Sequence, residues 1–311
     1  MSAAPHAVAE LLRRRALGGG RDDGARLALA IEGGGMRGAV SAGMAIAIDE
    51  LGLTDAFDDV YGASAGALNA VWLLSGNPAD GLRPYANPGL IRQYIRRSNA
   101  LRGRPVVDTR RLVEHLYEHV LPLRFDAVLA HRARFHPLAT DVETGRAVDL
   151  GPAIRDRATL KLALRATTAL PLLAGPPVLI DGRSYLDAGM AESIPFHAAL
   201  AAGATHVLVL RSRRQGETAQ PPGRVSGALM SRALRRLDPA VARAFMTRAE
   251  REAEDERFLA ERDADPSLEP HVLSIRPAPE SPVPSRLERD IEVVRGGLEA
   301  GRQAALAALC E

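Results

Sequence analysis

The chain has one cysteine in 311 residues, Cys310, which excludes an intrachain disulfide. It has one lysine, Lys161; every other side-chain cation apart from histidine is arginine. An arginine fork pairs bidentately with phosphate and carboxylate. Apolar runs are short, and none reaches the ~20 residues that a membrane-spanning helix needs. A secretory apolar region is also missing, because Leu11-Leu12 runs at once into Arg13-Arg14-Arg15. A cytoplasmic protein is therefore expected. Net charge is only +2, which gives no general attraction to nucleic acid. The remaining balance, 46% hydrophobic and 25% charged, is that of an ordinary globular protein.

Residues 1–24 are rich in alanine, arginine and glycine and end in Gly18-Gly19-Gly20-Arg21-Asp22-Asp23-Gly24, which predicts a flexible tail. Short apolar runs over 27–31 and 57–61 predict strands, each followed by an apolar helix, over 39–51 and 67–74. That alternation predicts an α/β fold with a parallel sheet. Residues 77–134 are Pro-punctuated and Arg-rich, with Leu112, Leu116 and His119 or Val120 on one helical face, and predict a cap. Strand character returns over 134–140, a turn over 141–145 and a helix over 158–169. Asp181-Gly182 sits between two apolar runs as a hairpin signal. Further strands are expected over 206–210 and 271–275, a loop over 211–224, and helices over 239–261 and 286–310. The expected division is a core over 25–210, cap included, with 211–311 completing the same domain.

Two glycine-framed motifs stand close together. Gly33-Gly34-Gly35-Met36-Arg37-Gly38 follows the first strand, and Gly62-Ala63-Ser64-Ala65-Gly66 follows the second. In G-x-S-x-G the glycines let backbones pass closely while the serine sits on a sharp strand-to-helix turn. A glycine run at a helix start offers free N–H groups to an oxyanion. The bland alternative for Ser64 is a structural turn that packs a helix on a strand. Gly33 to Gly38 also fits the loose dinucleotide pattern G-x-G-x-x-G. That pattern wants an acidic residue closing the next strand, whereas Asp58 and Asp59 come before the serine turn. Dinucleotide binding leaves Arg37 and the serine turn unexplained.

A serine nucleophile needs a base. None of the eight histidines has a compelling context. Asp187, in Tyr185-Leu186-Asp187-Ala188-Gly189, ends a short run and opens a small-residue turn. It reads equally as a turn or N-cap aspartate.

The whole set resembles the patatin-like phospholipases. Besides the two glycine motifs, the resemblance runs through Ala139-Thr140-Asp141-Val142-Glu143-Thr144-Gly145 and Ala166-Thr167-Thr168-Ala169-Leu170-Pro171. It continues through Ile180-Asp181-Gly182, Asp187-Ala188-Gly189 and Ser193-Ile194-Pro195, in family order, from about residue 26 to 210. It implies a three-layer α/β fold with a mostly parallel central sheet and a Ser-Asp dyad without histidine. By that resemblance Ser64 is the nucleophile and Asp187 its base. Gly34, Gly35 and Met36 supply oxyanion N–H groups, and Arg37 is the loop arginine. Gly33, Gly38, Gly62, Gly66 and Gly189 are the motif glycines. No metal or cofactor is implied. Two positions depart from the family pattern: Ala188 stands where a glycine is usual, and Ser193 where an asparagine is usual. Neither is a catalytic group, and alanine fits at 188 if φ is negative.

The function expected is a serine-dependent lipid acyl hydrolase acting on phospholipid or lysophospholipid esters. An acyltransferase or thioesterase on the same fold, and a non-catalytic lipid-binding module, are the alternatives. A transient membrane-surface contact is expected of the cap. There Arg92, Arg96, Arg97, Arg102 and Arg104 crowd Leu90, Ile91, Tyr94, Ile95 and Leu101; the alternative turns that apolar face onto the protein core. Nothing in the sequence fixes an oligomeric state.

Overall fold

The strands are Leu27–Ile31 (β1), Asp59–Ala63 (β2), Arg134–Asp141 (β3), Ala147–Asp149 (β4), Val178–Ile180 (β5), Arg183–Asp187 (β6), His206–Leu210 (β7) and His271–Ile275 (β8). These come from a computed structural model that describes residues 6–310 apart from 103, 172 and 218–222. They form one sheet in the order β5-β6-β3-β2-β1-β7-β8, with β4 paired beside β3. The run β3-β2-β1-β7-β8 is parallel; β4 and β6 pair antiparallel with β3, and β5 with β6. All five residues of β1 are buried, as an apolar strand covered by helices on both faces must be. This is the expected mixed α/β architecture, a mostly parallel sheet flanked by helices.

Helix Gly38–Glu50 is buried continuously from Gly38 to Ile48. The C-terminal helix Ile291–Cys310 lies against it, backbone on backbone. A Cβ added at Gly43 would fall 1.8 Å from the Leu298 carbonyl oxygen, and one at Gly301 1.9 Å from that of Val40. Larger residues at either crossing would push the helices apart, so the glycines here set the interhelical distance.

Four expectations are corrected. The flexible tail fails over Ala7–Ala16, which form a helix: His6 Nδ1 accepts the Val8 N–H at its start, and Val8, Leu11 and Leu12 are buried. Their spacing is the i, i+3, i+4 stripe of a docked helix. β2 begins two residues later than the apolar run at 57 and continues through Gly62 into the serine turn. The single helix expected over 239–261 is two, Pro239–Met246 and Arg248–Ala264. At that break the Ala244 carbonyl accepts from Arg251 Nη2 at 2.7 Å. In the cap, Leu112–Val120 is a π-helical stretch that buries Leu112, Val113, Leu116 and Tyr117. The wider turn carries His119 and Val120 out to solvent.

The cap's expected lipid-facing residues point inward. Ile91 and Ile95 are 2% and 4% exposed and pack with Met36, Ala39, Val106 and Val294. Leu90 and Tyr94 line the cavity described below. The side chains of Arg97 and Leu101 lie outside the described residues. Among the described residues no helix is long and apolar enough to cross a membrane.

Candidate active site

β2 ends at Ala63, and the next residue, Ser64, has φ 53° and ψ −121°. That backbone region is strained for a residue with a side chain and is held only when its surroundings impose it. The flanking glycines show how. A Cβ at Gly62 would lie 2.4 Å from Ala67 Cα, and one at Gly66 2.2 Å from the Ile31 carbonyl oxygen. The helix Ala65–Leu74 can therefore start directly above β1 and β2. The Ser64 N–H donates to Thr167 Oγ1 at 2.9 Å, which fixes the turn from the side of helix Arg157–Thr167. The Asn69 amide group spans to the glycine loop's helix, donating to the Gly38 carbonyl at 2.8 Å and to Ser41 Oγ at 3.0 Å. Sequence reasoning missed both braces; only Thr167 lay in a motif it had singled out.

Asp187 arrives at the same point from the end of β6. Ser64 Oγ donates to Asp187 Oδ2 at 2.7 Å. The other carboxylate oxygen accepts the Gly189 N–H at 2.8 Å, and Thr140 Oγ1 donates to the Asp187 carbonyl at 2.8 Å. Burial raises the Asp187 pKa above the ordinary aspartate value; the bonds from Ser64 and Gly189 and the field of Arg286 and Arg248 oppose that rise only in part. Ala188 opens a 3-10 turn, Ala188–Met190, and is not at positive φ, so alanine is tolerated there. At Ser193 the backbone carbonyl accepts the Gly33 N–H at 3.0 Å, and the hydroxyl donates to Glu252 at 3.1 Å.

In the glycine loop the amide partners sort the candidates. The Gly33 N–H is held by Ser193, and the Met36 N–H donates to the Arg286 carbonyl at 3.0 Å. Among the described residues the N–H groups of Gly34 and Gly35 have no partner. Met36, expected to donate into the hole, instead donates its N–H to a backbone carbonyl of the C-terminal segment. Gly35 has φ +61°, and a Cβ on it would meet that same Arg286 carbonyl at 2.6 Å. Gly38 is held close to the serine turn, since its added Cβ would lie 2.9 Å from Ala65 Cβ.

Charged side chains gather under the loop. Glu32 is fully buried; burial alone would raise its pKa, but Arg211 and Arg213 outweigh it and hold it down to about 2. Arg211 Nε lies 3.0 Å from Glu32, and Arg213 Nη2 lies 2.7 Å from Glu252. Arg37 is 8% exposed, and its Nε has no hydrogen-bond partner among the described residues. Burial, then the neighbouring Arg213, lowers its pKa to about 10, so it stays protonated at neutral pH.

A cavity of about 330 Å³ opens from Ser64 and Asp187. Its lining includes apolar and aromatic side chains largely from the cap, Leu68, Tyr85, Tyr94, Leu112, Leu116, Tyr117 and Leu173, and the charged side chains of Arg37, Arg213, Arg248, Glu252 and Arg286. Among the described residues no histidine lines it. His136 is instead held between Asp59 and Asp149, His197 beside Asp255 and His131 near Asp55. A hydroxyl bonded to an under-neutralised carboxylate, two free N–H groups and an apolar chamber together suit acyl transfer.

A family model described as patatin-like phospholipase matches residues 29–200. An uncharacterised protein of Escherichia coli strain K12, YjjU, is 28% identical over 194 residues, covering 60% of this chain and 52% of that protein. The chain thus aligns with about half the length of that curated relative. The crystal structure of VipD from Legionella pneumophila aligns over 92% of this chain and 67% of that one, at 11% identity and a TM-score of 0.46. The family model spans more than half of the chain and contains both glycine motifs and Asp187: the chain belongs to the patatin-like phospholipase family, a family of lipid acyl hydrolases.

Proposed function

We propose that the protein is a serine-dependent lipid acyl hydrolase working through Ser64 and Asp187 alone. The observation that carries this is the 2.7 Å hydrogen bond from Ser64 Oγ to Asp187 Oδ2 in a cavity that no histidine lines among the described residues. Asp187 takes the Ser64 proton as Oγ attacks the ester carbonyl carbon. The carbonyl oxygen, now an oxyanion, accepts from the Gly34 and Gly35 N–H groups. The tetrahedral adduct collapses to an acyl-serine, and Asp187 returns the proton to the departing alcohol oxygen. Water then attacks the acyl-serine, giving its proton to Asp187, and collapse releases the fatty acid and restores Ser64. A raised pKa suits Asp187 to both directions of transfer, because a general base works best when its pKa approaches the working pH.

The apolar lining suits the acyl chain. The arginine side chains suit an anionic leaving group, and the unpartnered Arg37 Nε supports a role there. On this reading Arg37→Ala lowers kcat/KM more on a phosphate-bearing lysophospholipid than on a neutral short-chain ester. Equal losses would leave Arg37 only a supporting role in the loop.

The test is product analysis. The protein is incubated with defined phospholipids, lysophospholipids and short p-nitrophenyl esters, with products read by mass spectrometry. Free fatty acid should appear with wild type and vanish with Ser64→Ala. Turnover that survives in the folded Ser64→Ala protein, or acyl groups passed to an added alcohol instead of water, would overturn the hydrolase reading.

A further inference from the structure

Away from the cavity, helix Arg224–Arg235 buries one face, Gly227, Met230, Ser231 and Leu234, against the protein. Its opposite face is open. At 100° per residue Arg224, Arg232 and Arg235 fall on one exposed stripe, with Val225 and Leu229 on the stripe beside it. Val225 is 75% and Leu229 60% exposed, and Leu237 and Met246 continue the apolar exposure beyond the helix end. Arg236 follows directly after the helix, on the same side. None of these four arginines forms an ion pair or a side-chain hydrogen bond among the described residues. From 223 to 248 the sequence holds six arginines and one carboxylate, Asp238. That carboxylate is turned to the start of the next helix, where it accepts the Ala240 N–H.

We infer that this face is the docking surface for an anionic lipid bilayer. Scattered single apolar residues on a surface are normal; here they stand among unpaired guanidinium groups. A protein partner's interface has a dry apolar centre with charge at its rim. On this helix a narrow apolar stripe runs beside the arginine stripe along one exposed face. That suits the headgroup boundary of a bilayer, where guanidinium groups meet phosphates and Val225 and Leu229 reach the acyl layer. The arginines also line a cleft with Met246, and Arg248, two residues further on, lines the catalytic cavity. Docking here would therefore hold the cavity close to the lipid. The inference does not depend on which bond the enzyme cleaves.

Vesicles of ether-linked lipids, which have no carboxylic ester to cleave, separate binding from hydrolysis. Full-length wild-type protein should sediment with vesicles containing phosphatidylglycerol at low salt, hardly at all with phosphatidylcholine alone, and less as salt rises. Each interfacial arginine is worth roughly fivefold in partitioning. The Arg224→Gln, Arg232→Gln, Arg235→Gln, Arg236→Gln variant should therefore lose roughly 600-fold. Val225→Ser with Leu229→Ser should lose roughly a hundredfold. Both variants should hydrolyse a soluble short-chain ester at the wild-type rate, which shows that they are folded. Absence of wild-type protein from anionic vesicles at low salt, or unchanged partitioning of the quadruple variant, would overturn the inference. So would equal retention on both vesicle types.

Discussion

Two buried aspartates, Asp59 and Asp187, sit near opposite ends of β3 across the ladders. Asp59 pairs with Arg134 at its start, and Asp187 pairs with Ala139 near its end. Their surroundings differ in charge. Asp59 accepts from Arg26 Nε at 2.7 Å and Arg134 Nε at 2.9 Å, and His136 Nε2 lies 3.0 Å away. Burial opposes its ionisation, but the bonds from His136 and Arg26 outweigh burial and hold its pKa well below the ordinary value. Among the described residues Asp187 has one hydroxyl, one N–H and no ion pair within contact distance, and its pKa is raised. The two carboxylates thus differ in the number of cations brought to them; on the proposed mechanism that difference separates a structural post, Asp59, from a proton acceptor, Asp187.

Exchanging each carboxylate for an amide should separate the two roles. Asp187→Asn should lower kcat/KM by about 10²–10⁴, the usual worth of a general base. Asp59→Asn should leave kcat/KM of the folded protein near wild type. Stability should respond the other way. Asp59→Asn takes the carboxylate away from Arg26, Arg134 and His136; because Arg26 and Arg134 reach solvent, the loss should be about 1–3 kcal/mol in denaturant titration. Similar activity losses in both variants would erase the distinction.

The pH dependence sharpens it. The depressed Asp59 pKa gives stability that is present above the unfolded aspartate value of about 3.9 and lost as pH falls below it. His136 is opposed by burial but raised by Asp149 and Asp59. Its contribution is complete below the unfolded histidine value of about 6.5 and fades as pH rises through the folded one. The cluster should therefore stabilise most between those limits. Activity should follow Asp187: the acid limb of kcat/KM should fall at a pH above the ordinary aspartate range. Thermal melts and a rate profile on a neutral ester would read both.

The smallest effect is a gain. A carboxylate with raised pKa is penalised while ionised, so it lowers stability at neutral pH. Asp187→Asn removes that penalty and keeps an acceptor for the Gly189 N–H. It should stabilise by about 0.5–2 kcal/mol while activity is lost. A destabilised Asp187→Asn protein would show that Asp187, like Asp59, is mainly structural.

Much of this was legible in the sequence because it rests on local patterns. The apolar runs gave β1, β3, β7 and β8 within a residue or so. The glycines around Ser64 gave the turn, because only small residues allow such close backbone approach. Asp187 stood out from its local sequence, where it read equally as a turn or cap residue; its role as base came only from the resemblance. What stayed hidden depends on contacts distant in sequence. Nothing near Met36 tells that its N–H is taken by Arg286, some 250 residues on. The inward turn of Ile91 and Ile95 is set by Val294 of the last helix. The N-terminal helix was legible in principle: Val8, Leu11 and Leu12 hold helical spacing that the alanine and arginine content obscured.

The most direct test is the rate and site of phosphonylation by a fluorophosphonate probe, with the adduct mapped by peptide mass spectrometry. Wild type should carry one adduct, on Ser64. Asp187→Asn should react about 10²–10⁴-fold more slowly, and Asp59→Asn at the wild-type rate per folded molecule. An adduct on any other residue, or an Asp187→Asn protein labelled as fast as wild type, would contradict the dyad.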